Sequence, residues 1–208
     1  MVRFVPSWDI PTEAKKDYSL FETEIDGFRY RMEFNEIGNF CMNKEDKTKS
    51  SFEFNLPLIP DEVFMASYFF FKEISDRHNT EAALQLFYDR DENAYFLSVP
   101  TQYVSHASVE YERDYELECN YLLVADIHSH GSIPAFFSGT DDADELGTRL
   151  FIVFGDFRNK WTAKLRAGSG GYFKDLEKNA IFSTEEVSMS SVNEILANLA
   201  MQKCQIHF

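Results

Sequence analysis

Asp126 to Asp144 reads DIHSHGSIPAFFSGTDDAD. Two of the chain's five histidines, His128 and His130, stand one residue apart here, at the end of an apolar run. Successive side chains of a strand point to opposite faces, so these imidazoles share a face if the strand continues through Ser129. Two imidazoles on one face can meet one ion. A hydrolytic zinc site has three protein ligands and leaves the fourth position to water, whose pKa the metal lowers to about 7. Asp141 can supply the third ligand, eleven residues beyond His130, across a loop whose Gly131, Pro134 and Gly139 allow it to fold back. Neutral histidines with a carboxylate suit zinc, geometry rather than affinity deciding which metal is used. A bare pair of this kind is more often two surface or hydrogen-bonded histidines, so its context decides.

The elements around the motif follow from periodicity. GFRYRMEF alternates, with Phe28, Tyr30, Met32 and Phe34 on one face, and the Asp26-Gly27 pair joins it to SLFETEI as an N-terminal hairpin. SFEFNL, Ser51 to Leu56, is a further strand, and the charged NKEDKTKS before it reads as a flexible loop or subdomain boundary. DEVFMASYFFFKEISDRH carries Phe64, Tyr68, Phe71 and Ile74 at helical spacing and predicts a largely buried helix. EAALQLFY and AYFLSV predict a hairpin around DRDEN, YLLVADIHSH a strand running into the motif, DADELGTR a short helix, and LFIVFGDF and KWTAKLRA two strands around a turn at Arg158-Asn159. Gly168 to Gly171 reads as a turn, because no Lys-Ser/Thr follows to complete a phosphate loop. Ser191 and Glu194 form a capping-box pattern ahead of a C-terminal amphipathic helix. Asp142, Asp144 and Glu145 read as a solvated helix start, and His78 and His106 as surface residues.

His128-x-His130, seven residues, then Ser138-x-x-Asp141 resembles the signature of the JAMM/MPN+ zinc metalloproteases. In that family the two His and the Asp bind zinc and the Ser assists at the bound water or oxyanion. The resemblance extends over roughly Asp61 to Lys174, where the order of helix, hairpin, strand, motif loop and terminal hairpin is similar to that family's core. It implies an α/β fold of JAB/MPN type, cytidine-deaminase-like, with a mixed sheet flanked by helices and an N-terminal β-rich extension. The expected organisation is an extension over residues 1–56, a metalloprotease domain over 57–183 and a C-terminal helix over 184–208, the extension influencing substrate choice or assembly rather than chemistry. The family's general base is a Glu at the start of the strand after the first long helix. Glu81 in TEAALQLFY matches that context, whereas Glu73 falls inside the predicted helix and Glu92 in the hairpin turn. Gly131 stands where eukaryotic members commonly have Pro, and IHSHGSIPAFFSGTDDADE is more similar to the bacterial branch, whose members accompany ubiquitin-activating-like and conjugating-like proteins.

The resemblance implies a zinc peptidase or isopeptidase cleaving at the C-terminal tail of a ubiquitin-like, β-grasp protein or its conjugate, with activating- and conjugating-enzyme-like proteins as further partners. A catalytically silent scaffold of MPN-like fold is the alternative. A metal phosphoesterase of PHP type also begins with D-x-H-x-H, but such barrels need several later histidines, and only His207 lies downstream of His130. The net charge of −15 repels phosphate backbones and anionic head groups, so neither nucleic acid nor a membrane is an expected partner. Cys41, Cys119 and Cys204 are widely spaced and odd in number, as expected of reduced, buried thiols. With no apolar leader or spanning segment evident, the expected location is the cytoplasm.

Overall fold

In the computed structural model, which describes residues 20–207, the alternating segment becomes β2 (Phe28–Phe34), paired antiparallel with β1 (Leu20–Ile25). Asp26 and Gly27 carry φ of 51° and 78° between them, the left-handed pair that a two-residue hairpin turn requires. β3 (Gly38–Asn43) and β4 (Ser51–Phe54) complete a four-stranded sheet in chain order. β3 has no clean alternation in sequence. Its Gly38 is needed because Phe52 occupies the space of a side chain, an ideal Cβ lying 2.4 Å from that ring. NKEDKTKS is an ordered hairpin loop and not a boundary. Asn43 Oδ1 accepts from the backbone N–H groups of Glu45 and Asp46, and Asp46 caps a 3₁₀ turn at Lys47–Lys49.

The chain divides into two compact units. One joins the described residues up to 57 with 139–149 and 166–176; the other comprises 58–138, 150–165 and the described residues from 177 onward. In the second, α1 (Asp61–His78) buries Val63, Phe64, Phe70, Phe71 and Ile74, begins with Asp61 and Glu62 at its positive end, and stops at Asn79 in the left-handed conformation. β5 (Ala83–Asp89) and β6 (Ala94–Ser98) form the expected hairpin. β7 (Gln102–Val104) and β8 (Val109–Tyr111) belong to a small separate sheet, followed by α2 (Tyr115–Asn120) and β9 (Leu122–Ser129). β9 pairs antiparallel with β5 and parallel with β10 (Arg149–Gly155). With β11 (Thr162–Ser169) and β12 (Tyr172–Leu176) the sheet runs β12-β11-β10-β9-β5-β6, a mixed sheet flanked by helices, consistent with the expected α/β fold of JAB/MPN type with N-terminal strands.

Between β11 and β12, Gly170 and Gly171 both have positive φ, which makes the glycine-rich stretch a tight hairpin turn. α3 spans Gly139–Asp144, three residues earlier than expected. The C-terminal helix, α4 (Met189–Gln202), also starts earlier, because Ser188 rather than Ser191 is the cap and accepts from Ser191 N. It buries Val192 and Leu199 and is tied to α1 by Lys203 on Glu73 at 2.7 Å. The last strand, β13 (Ile206–His207), adds parallel to β7. Trp161 packs against Tyr68 and Phe64, with ring centroids 5.0 and 6.0 Å apart, beside the buried Phe154. Contrary to expectation, Cys41 is only half-buried and Cys119 and Cys204 are exposed, the last two because they lie in the short α2 and in the 3₁₀ turn Lys203–Gln205, neither of which contributes a buried residue. Among the described residues no helix is long and apolar enough to cross a membrane.

Candidate metal centre

β9 lies between two partner strands, and its last residues carry the motif. Ser129 is fully buried; its N–H donates to Ala82 O at 3.0 Å and its hydroxyl accepts from Ala82 N at 3.1 Å. Bonding does not stop there, since His130 N donates to Phe154 O at 2.8 Å on the β10 side. Extended backbone therefore persists through Ser129, and the two histidines fall on the face opposite its hydroxyl. Their Nε2 atoms are 3.2 Å apart and their ring centroids 5.0 Å apart. His130 is buried and His128 half-buried.

The return of the chain toward these rings is set by a braced loop. Gly131 turns it with φ of 57°. Ile133 N then donates to His130 O, Asp156 N to Ile133 O, and Phe157 N to Gly131 O, all between 2.8 and 3.1 Å. Ala135 N donates to the Thr162 hydroxyl at 2.8 Å. Gly155 allows the closest approach, since an ideal Cβ there would lie 2.2 Å from Ile133 O. The edge of the Phe136 ring meets His130 at a centroid distance of 4.7 Å. Ser138 follows, half-buried, directly before α3.

Asp141 lies in the first turn of α3, and potential ligand atoms of His128, His130 and Asp141 all fall within 4.8 Å of one another. Two imidazole nitrogens and one carboxylate oxygen, with one ring buried, are a donor set that fits zinc and leaves room for a fourth ligand. These residues could hold a metal as they do in JAMM sites.

Glu81 is outside this ligand group, and its placement follows from strand pairing. Ala83 is the partner of His128 in the β5–β9 ladder, and Ala82 bonds Ser129. Glu81 directly precedes Ala82, just beyond the last paired residues of this ladder. Its own N–H donates to Ser105 O at 3.0 Å. The start of β5 is further fixed by Gln102, a fully buried side chain whose Oε1 accepts from Ala83 N at 2.8 Å and whose Nε2 donates to Ala83 O at 3.0 Å. Gln102 and Thr162 escape sequence reading. Each is an ordinary polar residue in or beside a strand, and only tertiary contacts show that one steadies the approach to Glu81 and the other the motif loop. His106 is exposed, as expected, with Nδ1 2.7 Å from Asn79 O.

A search of curated proteins gives no match to this chain. Residues 65–164 match the family model of prokaryotic homologs of the JAB domain. The matched stretch begins in α1, ends in β11, and contains both histidines, Glu81, Ser138 and Asp141. Over residues 65–164 the chain is therefore similar to prokaryotic homologs of the JAB domain, consistent with a bacterial member of the JAB/MPN family, and it carries additional N-terminal strands.

Proposed function

We propose that the protein is a zinc-dependent peptidase or isopeptidase that cleaves at the C-terminal tail of a ubiquitin-like protein or its conjugate. The observation that carries this reading is the convergence of His128, His130 and Asp141, with Glu81 just before β5, the strand paired with β9, and Ser138 three residues before Asp141. These three residues would hold the metal. Bound there, zinc supplies a Lewis acid and brings the pKa of water to about 7. Glu81 takes the proton of the attacking water and returns it to the leaving amine. The Ser138 hydroxyl donates to the developing oxyanion. An extended tail is a suitable substrate because it can add as a strand beside the cleft and bring one backbone carbonyl to the reacting atoms. Activating- and conjugating-enzyme-like proteins would supply such conjugates, and the setting would be cytoplasmic.

The test pairs metal analysis with a cleavage assay. Zinc-loaded protein is incubated with a panel of ubiquitin-like fusions and conjugates, alongside Glu81→Gln. The substitution keeps size and much of the hydrogen bonding, so zinc content and melting temperature should hold while turnover falls by about 10²–10⁴-fold, the usual contribution of a general base. Full activity in a zinc-loaded Glu81→Gln protein would remove Glu81 from the base role. Zinc binding without cleavage of any panel member would favour a silent scaffold.

A further inference from the structure

Of the acidic residues after Asp141, two are not simply solvated. Arg166 on β11 has a side chain only 4% exposed, and Glu145 one 11% exposed. The guanidinium donates through Nη2 and Nε to Glu145 Oε2 at 2.6 and 2.9 Å, and through Nη1 to Asp142 Oδ1 at 2.5 Å. Its flat face covers the Phe173 ring, 3.5 Å from Cζ to the centroid. Withdrawing a guanidinium from water is costly unless its donors are met, and here the fork is met by two carboxylates of one short segment. That segment, 139–149, is the one that carries Asp141.

Its far end is held within the same compact unit. Thr148 Oγ1 donates to Glu33 Oε2 at 2.7 Å, and the same oxygen accepts from the Ser169 hydroxyl at 2.8 Å and lies 3.1 Å from Arg31 Nη2. Gly170 N donates to Leu146 O at 3.2 Å. The segment thus leaves α3 with its side chains drawn onto β11 and its last residues drawn onto β2.

We propose that Arg166 is a positioning residue for Asp141. By gripping Asp142 and Glu145 directly after it, with Glu33 on Thr148 as the outer hold, it fixes where the Asp141 carboxylate is presented. This rests on the metal reading above. It also gives the N-terminal strands a part in the metal centre, through Glu33 on β2, beyond any part in substrate choice.

The experiment uses the full chain and reads metal affinity by competition with a chromophoric chelator, together with the absorption spectrum of the cobalt-loaded protein. Loss of a group that orients a ligand typically costs about 10–100-fold in metal affinity. Arg166→Gln should weaken zinc by that amount and alter the cobalt spectrum under conditions where circular dichroism shows it folded. Arg166→Lys keeps a charge but not the planar fork, so it should recover part of the affinity. Asp142→Asn and Glu33→Gln should weaken zinc to a smaller degree in the same direction. If Arg166→Gln is folded and matches the parent in affinity and spectrum, Arg166 does not position Asp141, although the metal site stands. If Arg166→Gln does not fold, Asp142→Asn decides, and parental affinity and spectrum there overturn the proposal. A parent that binds neither zinc nor cobalt overturns both readings, because Asp141 would then have no metal to be placed for.

Discussion

Side chains of one type diverge in this protein according to what surrounds them. The three cysteines show it: burial pushes the Cys41 thiol up to about 11, partly opposed by a hydrogen bond with Ser51, whereas Cys119 and Cys204 are exposed. The thiolate is the reactive form, so at pH 8 roughly one Cys41 thiol in a thousand is ionised. An alkylating reagent at pH 8 is expected to modify Cys119 and Cys204 and to spare Cys41, whose labelling should rise only as the pH approaches 11. Mass mapping of the modified peptides checks this, and rapid labelling of Cys41 at pH 8 would contradict its burial. The same dependence on surroundings separates the carboxylates near the motif. Asp141 joins the imidazoles, while Asp142 and Glu145 are committed to Arg166.

An element positions the site only as well as its neighbours hold it. The motif loop is braced at Gly155, where an ideal Cβ would fall 2.2 Å from Ile133 O and 2.7 Å from Ala135 N. Both are backbone atoms, so a side chain at 155 must displace the loop rather than turn aside. Overpacking of this kind costs about 1–3 kcal/mol. Gly155→Ala should therefore lower the melting temperature and also weaken zinc, since the loop it moves connects His130 to Asp141. Gly139→Ala is the control, because no atom lies within 4 Å of its ideal Cβ. Calorimetry and a zinc titration on the two variants would distinguish them, and equal behaviour would show that the loop is not held through Gly155.

For the molecule as a whole, metal binding and stability are linked by mass action. A ligand at a hundred times its Kd adds about 2.7 kcal/mol. At roughly 2–4 °C per kcal/mol for a chain of this size, zinc should raise the melting temperature by about 5–10 °C, and a chelator should reverse the gain. An unchanged melt at saturating zinc would argue against binding by the folded state. The parts of this molecule readable from sequence are those with a local physical signature. Alternation marks β2 and β4, an apolar run marks β9, helical spacing marks α1, and a pair of histidines two apart marks a shared strand face. The remainder depends on contacts distant in sequence. β3 is obscured by Gly38, whose lack of a side chain makes sense only beside Phe52. β13 is two residues long and exists through its pairing with β7. Arg166 looks like any strand cation until Asp142, Glu145 and Phe173 are seen around it. Glu81 is intermediate: its position after a helix is legible, but the pairing of β5 with β9, which brings that stretch beside the motif strand, is not.

Trp161 gives the protein a built-in optical reporter. The chain has two tryptophans, so in a Trp8→Phe background all indole emission comes from Trp161. That ring is packed on Tyr68 and Phe64 yet 38% exposed, a setting in which both wavelength and quenching respond to small changes in packing. The next residue, Thr162, accepts the Ala135 N–H of the motif loop. Release of that bond reaches the indole through a single peptide unit. Fluorescence can then report, without any added label, when the loop between His130 and Ser138 lets go.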